Sequence, residues 1–163
     1  MKPFLALLLI LSLLAGFASC SEPQAVTYYY LRNENNYISG TDNGIIVGES
    51  REAASSVHDL QHLLILYLHG PSNDAFLSPF PQDTTLLGLE QTEDSLVVHL
   101  SSAAATLKDT ALTLACACMA QTCFGLTPVN SVTVTAEDVS MTLTRNSLLL
   151  VDNMAGPEIL SSP

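Results

Sequence analysis

The chain has 163 residues, of which 48% are hydrophobic, and its 16 acidic residues outnumber the five basic ones, for a formal charge of −11 at pH 7. This balance argues against binding to nucleic acid and against electrostatic docking on anionic lipids. It also disfavours attachment to anionic wall polymers unless divalent cations bridge the two. The simplest interpretation is an acidic surface that keeps a small domain soluble.

The first 19 residues have the pattern of an export signal. Lys2 supplies the positive charge, an apolar run follows over residues 4–17, and the small residues Ala18 and Ser19 precede Cys20. The run is shorter than the roughly 20 residues that a bilayer-spanning helix needs. The small-small-Cys ending resembles a bacterial lipobox, in which the peptide is cut before the cysteine and the cysteine carries lipid, such as palmitate.

We therefore predict a lipoprotein signal peptide over residues 1–19 and lipidation of Cys20, with a plain secreted protein or an uncleaved anchor as alternatives. Loss of Lys2 would move the formal charge from −11 to −12. The rest of the chain suits one domain. We assign residues 20–25 to the lipidated cysteine and a short tether, 26–152 to the domain and 153–163 to a flexible tail.

Two strands are predicted at the start of the domain. Strand-forming residues occupy positions 25–31 and 45–52, with turn-forming residues between them. Asn43-Gly44 is a signal for a tight turn, so the two strands can pair as a hairpin.

A helix is predicted next. Ser55 or Ser56 can cap its first turn, where Asp59 favours the helix dipole. Gly70-Pro71 ends it. Its apolar face consists of Leu60, Leu63, Leu64, Tyr67 and Leu68.

The middle of the chain predicts a loop and a second pair of strands. Breaker residues punctuate positions 72–82, and Phe76 and Phe80 in this loop are expected to pin it to the core. Strands are predicted over residues 84–90 and 95–100.

A second helix is predicted from Ser101 or Ser102, as its cap, to about Phe124, and Gly125 and Pro128 end it. Its apolar stripe consists of Leu107, Leu112, Ala115, Cys116, Met119 and Cys123.

The last elements are strands. Residues 131–136 alternate as one strand, and residues 137–144 and 147–151 look like a terminal hairpin over Arg145-Asn146. The order of elements predicts an α+β fold, with a mixed sheet packed by two helices in one compact domain.

Three cysteines remain besides Cys20. Cys116, Cys118 and Cys123 lie on one predicted helix, where seven residues separate two Cα atoms by about 10 Å of rise, beyond the roughly 7 Å limit for a disulfide. Cys116 and Cys118 project to different sides. We predict three free thiols that pack as small apolar groups, and no zinc-binding spacing is present.

Two patterns are candidates for chemistry. His58 and His62 lie four residues apart on one helical face and could share a metal, but Asp59 replaces the glutamate of the H-E-x-x-H pattern and no third ligand is placed, although His69 lies two turns further on. A solvated polar face is the simpler interpretation. His99 could join a hydrolase set with Ser101, but no nucleophile-elbow spacing accompanies that serine.

No phosphate-binding glycine pattern is present either. We therefore assign no catalytic residue, no metal site and no cofactor, and we expect a protein that is not an enzyme.

The remaining candidate is an aromatic binding surface. Tyr28, Tyr29 and Tyr30 lie in the first strand, where alternation puts Tyr29 on the opposite face from its neighbours. Tyr28 or Tyr30 could form a cleft with the Phe76 and Phe80 loop, although at least one face of the strand is expected to be core.

Several stretches of the chain resemble the GerMN domain of sporulation and spore-germination lipoproteins. The matching features are the helix end LLILYLHGP, the loop-to-strand passage PFPQDTTLLGLE, the strand LVVHLSS and the later passage from Val129 into SVTVTA. The resemblance covers residues 26–136.

The resemblance implies a compact, non-catalytic α/β module, held at the outer membrane face by lipid, whose relatives assist the assembly of envelope complexes. We therefore expect a membrane-tethered extracytoplasmic interaction domain, acting on envelope proteins or by self-association, without nucleic acid. The alternative is a ligand-binding lipoprotein that recognises cell-wall glycan or peptide through the aromatic cleft.

Overall fold

The computed structural model describes residues 25–35, 44–52 and 59–147. The predicted signal peptide, Cys20 and the tail lie outside these ranges. The elements along them are β1 (Ala25–Arg32), β2 (Ile46–Glu52), α1 (Leu60–Leu68), β3 (Phe76–Leu77), β4 (Leu86–Gln91), β5 (Ser95–Leu100), a 3₁₀ helix (Ser102–Thr106), α2 (Asp109–Leu126), β6 (Ser131–Ala136) and β7 (Val139–Thr144).

The predicted α+β class is confirmed, and the strands divide between two sheets. One sheet has the order β2-β1-β3 and the other has the order β4-β5-β6-β7. β1 and β2 pair antiparallel, as the hairpin prediction requires. β5 and β6 pair in parallel, because the chain crosses over through α2 between them, and the remaining pairs are antiparallel.

Helix α2 forms the centre of the molecule. Every residue from 115 to 120 is buried, which covers more than one full helical turn and so leaves no solvent face there. The helix packs against β6 and β7 on one side and against β1 on the other. The backbone N–H of Tyr29 donates to Thr122 Oγ1 at 3.0 Å, so α2 also covers part of the edge of β1.

The start of α2 differs from the prediction. The alanine-rich segment after Ser101 folds as a short 3₁₀ helix, in which Ser101 makes no capping bond with its side chain. Leu107 and Lys108 are then extended, and α2 begins only at Asp109. The helix formers were recognised correctly, but the break at Leu107-Lys108 has no glycine or proline to signal it.

Helix α1 begins later than predicted as well. Asp59, not a serine, is its N-cap, and its side chain accepts a bond from the Gln61 N–H at 3.0 Å. Ser55 and Ser56 lie outside the described residues. The predicted end is confirmed, since Gly70 has a φ of +97°, a conformation that glycine adopts without the steric cost of a Cβ.

The predicted strand 137–144 is present as β7 (Val139–Thr144), and its predicted pairing with residues 147–151 stays a prediction because residues 148–151 lie outside the described ranges. β7 pairs with β6 in an unbroken register from Ala136 opposite Val139 to Ser131 opposite Thr144. A turn at Glu137-Asp138 therefore joins β6 to β7. Residues 145–147 are helical, and the rest of the predicted last strand lies outside the described ranges.

Candidate functional site

The aromatic residues proposed as a cleft are mostly buried. Tyr28 is 2% exposed, Tyr30 0% and Phe80 5%, while Phe76 is half-buried against the same core. Tyr67 of α1 stacks on both tyrosines, with ring centroids 5.0 Å from Tyr30 and 6.0 Å from Tyr28. The expectation that Phe76 and Phe80 pin their loop to the core is confirmed. The two tyrosine rings do not form an open platform, because Tyr67 of helix α1 stacks on them.

A charged cluster, formed by Glu49 and Arg51 of β2, lies over these rings. The Arg51 guanidinium is 5.0 Å from the centroid of the Tyr28 ring and 5.6 Å from that of Tyr30. It donates to the Glu49 carboxylate and, at 2.8 Å, to the carbonyl oxygen of Gly70. Glu49 is only 6% exposed, so its charge is desolvated and depends on this partner.

The other carboxylate oxygen of Glu49 is also occupied. It accepts bonds from the Ser72 backbone N–H at 3.0 Å and from the Ser72 hydroxyl at 2.7 Å. The cluster thus joins β2 to the turn that follows α1. Sequence reasoning missed it, because the partners in residues 70–72 are far along the chain. The available signal was a Val-x-Glu-x-Arg alternation that turns two charges toward the core side of a strand.

The three predicted free thiols are confirmed, and all three are buried. Burial raises the pKa of Cys116 to about 11, and it raises the pKa of Cys118 and Cys123 to about 12. Since the thiolate is the reactive form, these side chains are inert near neutral pH. They serve as small apolar groups in the central helix.

His99 and Ser101 are not assembled as a hydrolase set. On the outer face of β5, His99 Nδ1 lies 2.8 Å from Thr135 Oγ1 and His99 Nε2 lies 3.1 Å from Glu90 Oε1. The Ser101 hydroxyl instead accepts a bond from the Thr85 backbone N–H at 3.0 Å. Each side chain therefore has its own partners.

The histidine pair of α1 is only partly described. His62 and His69 are exposed, and His58 lies outside the described residues. Among the residues that the structure describes, no group of three or more His, Cys, Asp or Glu side chains is placed to hold a metal ion.

A sheet can pair with another chain through the unpaired edge of an outer strand. The described residues contain four outer strands, and three of them are protected against such pairing. β3 has only two residues, β2 turns Glu49 and Arg51 inward, and β4 has an irregular register between Leu86 and Gly88. Short strands, inward charges and bulges are the usual means by which natural sheets prevent edge pairing.

Strand β7 has none of these features. Its six residues, VSMTLT, include no charge and no proline, and its register with β6 is regular throughout. Val139, Met141 and Leu143 are half-buried toward the core, and Ser140, Thr142 and Thr144 are exposed. Among the described residues, no strand pairs with its outer side.

No helix in the described part of the chain combines the length and the apolar character that crossing a membrane requires.

Fold and surface together define a small α+β module in which no other described strand pairs with the outer side of β7. The model of the family described as Germane, sporulation and spore germination, matches residues 27–142. The chain therefore belongs to the Germane family, which confirms the resemblance to GerMN domains.

Among solved structures, the chain is similar to a Clostridium perfringens protein named as a lipoprotein, with 16% identity and a TM-score of 0.43, over 76% of this chain and 88% of that one. No curated protein matches the sequence.

Proposed function

We propose that this Germane-family chain is a membrane-tethered extracytoplasmic lipoprotein whose domain is a non-catalytic docking module for envelope proteins, acting in sporulation or germination. The family supports the setting, and the lipobox-like residues before Cys20 support the tether. The outer edge of β7, with which no strand of the described residues pairs, is the observation that carries the docking role, because an unpaired edge accepts an extended strand from another chain.

The tether would keep the domain close to the membrane. β1 begins at Ala25, five residues after Cys20. A fully extended chain of that length spans at most about 18 Å. The domain would therefore meet other proteins in the layer next to the membrane surface.

The ligand-binding alternative needs aromatic rings that a sugar or peptide can reach. Tyr28, Tyr30 and Phe80 are at most 5% exposed. The docking module is therefore the better-supported function.

The tether is tested by changing Cys20→Ser and following fatty-acid labelling and the membrane fraction. We expect both to be lost. The matched control is Ser19→Ala, which keeps a small residue before the cysteine and should be labelled normally. Normal labelling of the Cys20→Ser variant would disprove lipidation at that position.

The docking role is tested by crosslinking in intact cells, followed by mass spectrometry of the proteins recovered from membranes. Recovery of one or two envelope proteins, or of the chain itself, that is lost in a β7-edge variant would support docking. Recovery of only wall fragments or small molecules would contradict it.

A further inference from the structure

The backbone of β7 presents a defined set of free hydrogen-bonding groups. In an antiparallel pair, the residues of one strand direct their N–H and C=O groups alternately toward and away from the partner strand. The Arg145 N–H donates to the Asn130 carbonyl, which fixes the phase of this alternation between β6 and β7. Ser140, Thr142 and Thr144 therefore point their backbone groups away from β6.

Two independent contacts agree with this phase. The Thr144 N–H, which should point outward, donates to Ser147 Oγ at 2.9 Å. The hydroxyls of Thr133 and Thr142 lie 2.8 Å apart, as suits a close pair that exchanges no backbone bonds. Because the Thr144 N–H is occupied, Ser140 and Thr142 carry the outward donors of the edge, and no described strand pairs with them.

Strand β7 is complementary to a second copy of itself. If two β7 strands pair antiparallel about Met141, then Ser140 lies opposite Thr142 of the other copy, and all the free groups of these residues are used. In the same register Val139 lies opposite Leu143, which continues the apolar inner row across the junction. Directly opposed apolar residues stabilise such pairs.

Charge also favours this arrangement. The protein carries 16 acidic residues, yet none lies in β7. Glu137 and Asp138 precede the strand and Arg145 follows it, so antiparallel pairing places the acidic end of one copy beside the arginine of the other. Like charges do not meet at the junction.

We propose that two copies of this chain associate through their β7 edges, forming a continuous eight-stranded sheet about a two-fold axis. The inference rests on the proposed tether and docking role, because an edge of six residues is small and association would be weak in free solution. Anchoring both copies to one membrane raises their effective concentration. Two-fold symmetry places both tethers at the same height along the axis, so both can reach that membrane.

The first test is sedimentation equilibrium of the purified full chain in detergent, from the micromolar to the millimolar range, because a weak dimer forms only at high concentration. Ser140→Pro removes an outward N–H without touching the β6 ladder, and Ser140→Ala is the matched control. We expect dimers for the parent and for Ser140→Ala, and a dissociation constant raised at least about tenfold by Ser140→Pro. Circular dichroism checks the fold, and Thr142→Lys replaces the proline variant if that one unfolds.

The second test uses disulfide formation in membranes. In the proposed register Met141 lies opposite its own copy in a close pair, so Met141→Cys should give an oxidised dimer. Leu143→Cys lies opposite Val139 and should not. The native thiols Cys116, Cys118 and Cys123 are buried and should not compete.

Three results would overturn the inference. These are a monomer at all concentrations, equal dimerisation of both Ser140 variants, and equal crosslinking at Met141→Cys and Leu143→Cys. If the purified chain is monomeric and β7 crosslinks to a different envelope protein, self-association is disproved, but the proposed docking role is supported. If dimers form normally but Cys20 takes up no fatty-acid label, only the proposed lipid tether is disproved.

Discussion

β2 and β7 are both outer strands of their sheets, but the side chains along their edges differ. β2 turns a glutamate and an arginine inward, and the pair binds the turn after α1, so the strand is tied to its own domain. β7 carries only apolar and hydroxyl side chains, and no strand among the described residues pairs with its outer side. The β2 edge thus stabilises the fold of its own domain, whereas the β7 edge is the one that we propose for assembly.

The largest expected effect comes from breaking the β2 cluster. Glu49→Ala would leave the Arg51 guanidinium without its charge partner and remove the acceptor for Ser72. We expect about 3 kcal/mol of lost unfolding free energy, as for other buried pairs that lose one member. Chemical denaturation measures it. Glu52→Ala, at an exposed position of the same strand, is the control and should change stability by less than about 0.5 kcal/mol.

Arg145 directly follows β7, and it makes different contacts from those of Arg51 in β2. Arg145 donates to the carbonyl oxygens of Phe124, Thr127 and Val129 at 2.8–3.0 Å and so holds the end of α2. We expect Arg145→Ala to cost about 2 kcal/mol, because three partly buried carbonyl acceptors lose a charged donor. Lys108→Ala removes a single exposed bond and provides the comparison. A loss no larger than that of Lys108→Ala would show that the arginine contributes little.

The burial of the thiols in helix α2, which lies in the core, can be tested by alkaline unfolding. The pKa of a cysteine thiol in the unfolded chain is near 9.0. Burial in the folded protein raises the pKa of Cys116 to about 11 and that of Cys118 to about 12. Above pH 9 the unfolded state therefore loses protons that the folded state keeps, so stability falls as pH rises toward 11–12. Each thiol should contribute about 1.4 kcal/mol per pH unit in this window and nothing below it.

Urea titrations at a series of alkaline pH values measure this slope. Cys118→Ala should lower overall stability but make the dependence on pH shallower. An unchanged slope would mean that the thiol is not protected as the structure shows.

The smallest effect on stability is expected at the edge of β7. Ser140→Pro removes an N–H that faces away from β6, so the isolated domain should lose less than about 1 kcal/mol, although association is lost. Thermal unfolding of the monomeric protein at low concentration measures this. A loss of several kcal/mol would show that the outward side of β7 is already paired within one chain.

Local pattern was enough to predict most elements. β5 and β6 were predicted to the residue, because Leu96, Val98 and Leu100, like Val132 and Val134, alternate with polar residues. The spacing of three cysteines on one helix correctly predicted free thiols that pack as small apolar groups.

What failed depends on contacts between distant segments. The division into two sheets and the Glu49–Arg51 cluster are both set by tertiary packing. The same packing converted the predicted Tyr28 and Tyr30 surface into core, since α1 stacks Tyr67 on both rings. A single strand's alternation shows which residues share a face, but it does not show what covers that face.

Amide hydrogen exchange of β7 at low and high protein concentration tests the central claim most directly. Met141 and Leu143 point their N–H groups toward β6 and should be protected at both concentrations. The N–H groups of Ser140 and Thr142 should exchange fast in the dilute protein and become protected as its concentration rises. Fast exchange at every concentration would contradict self-association, and protection already complete in the dilute monomer would contradict the open edge.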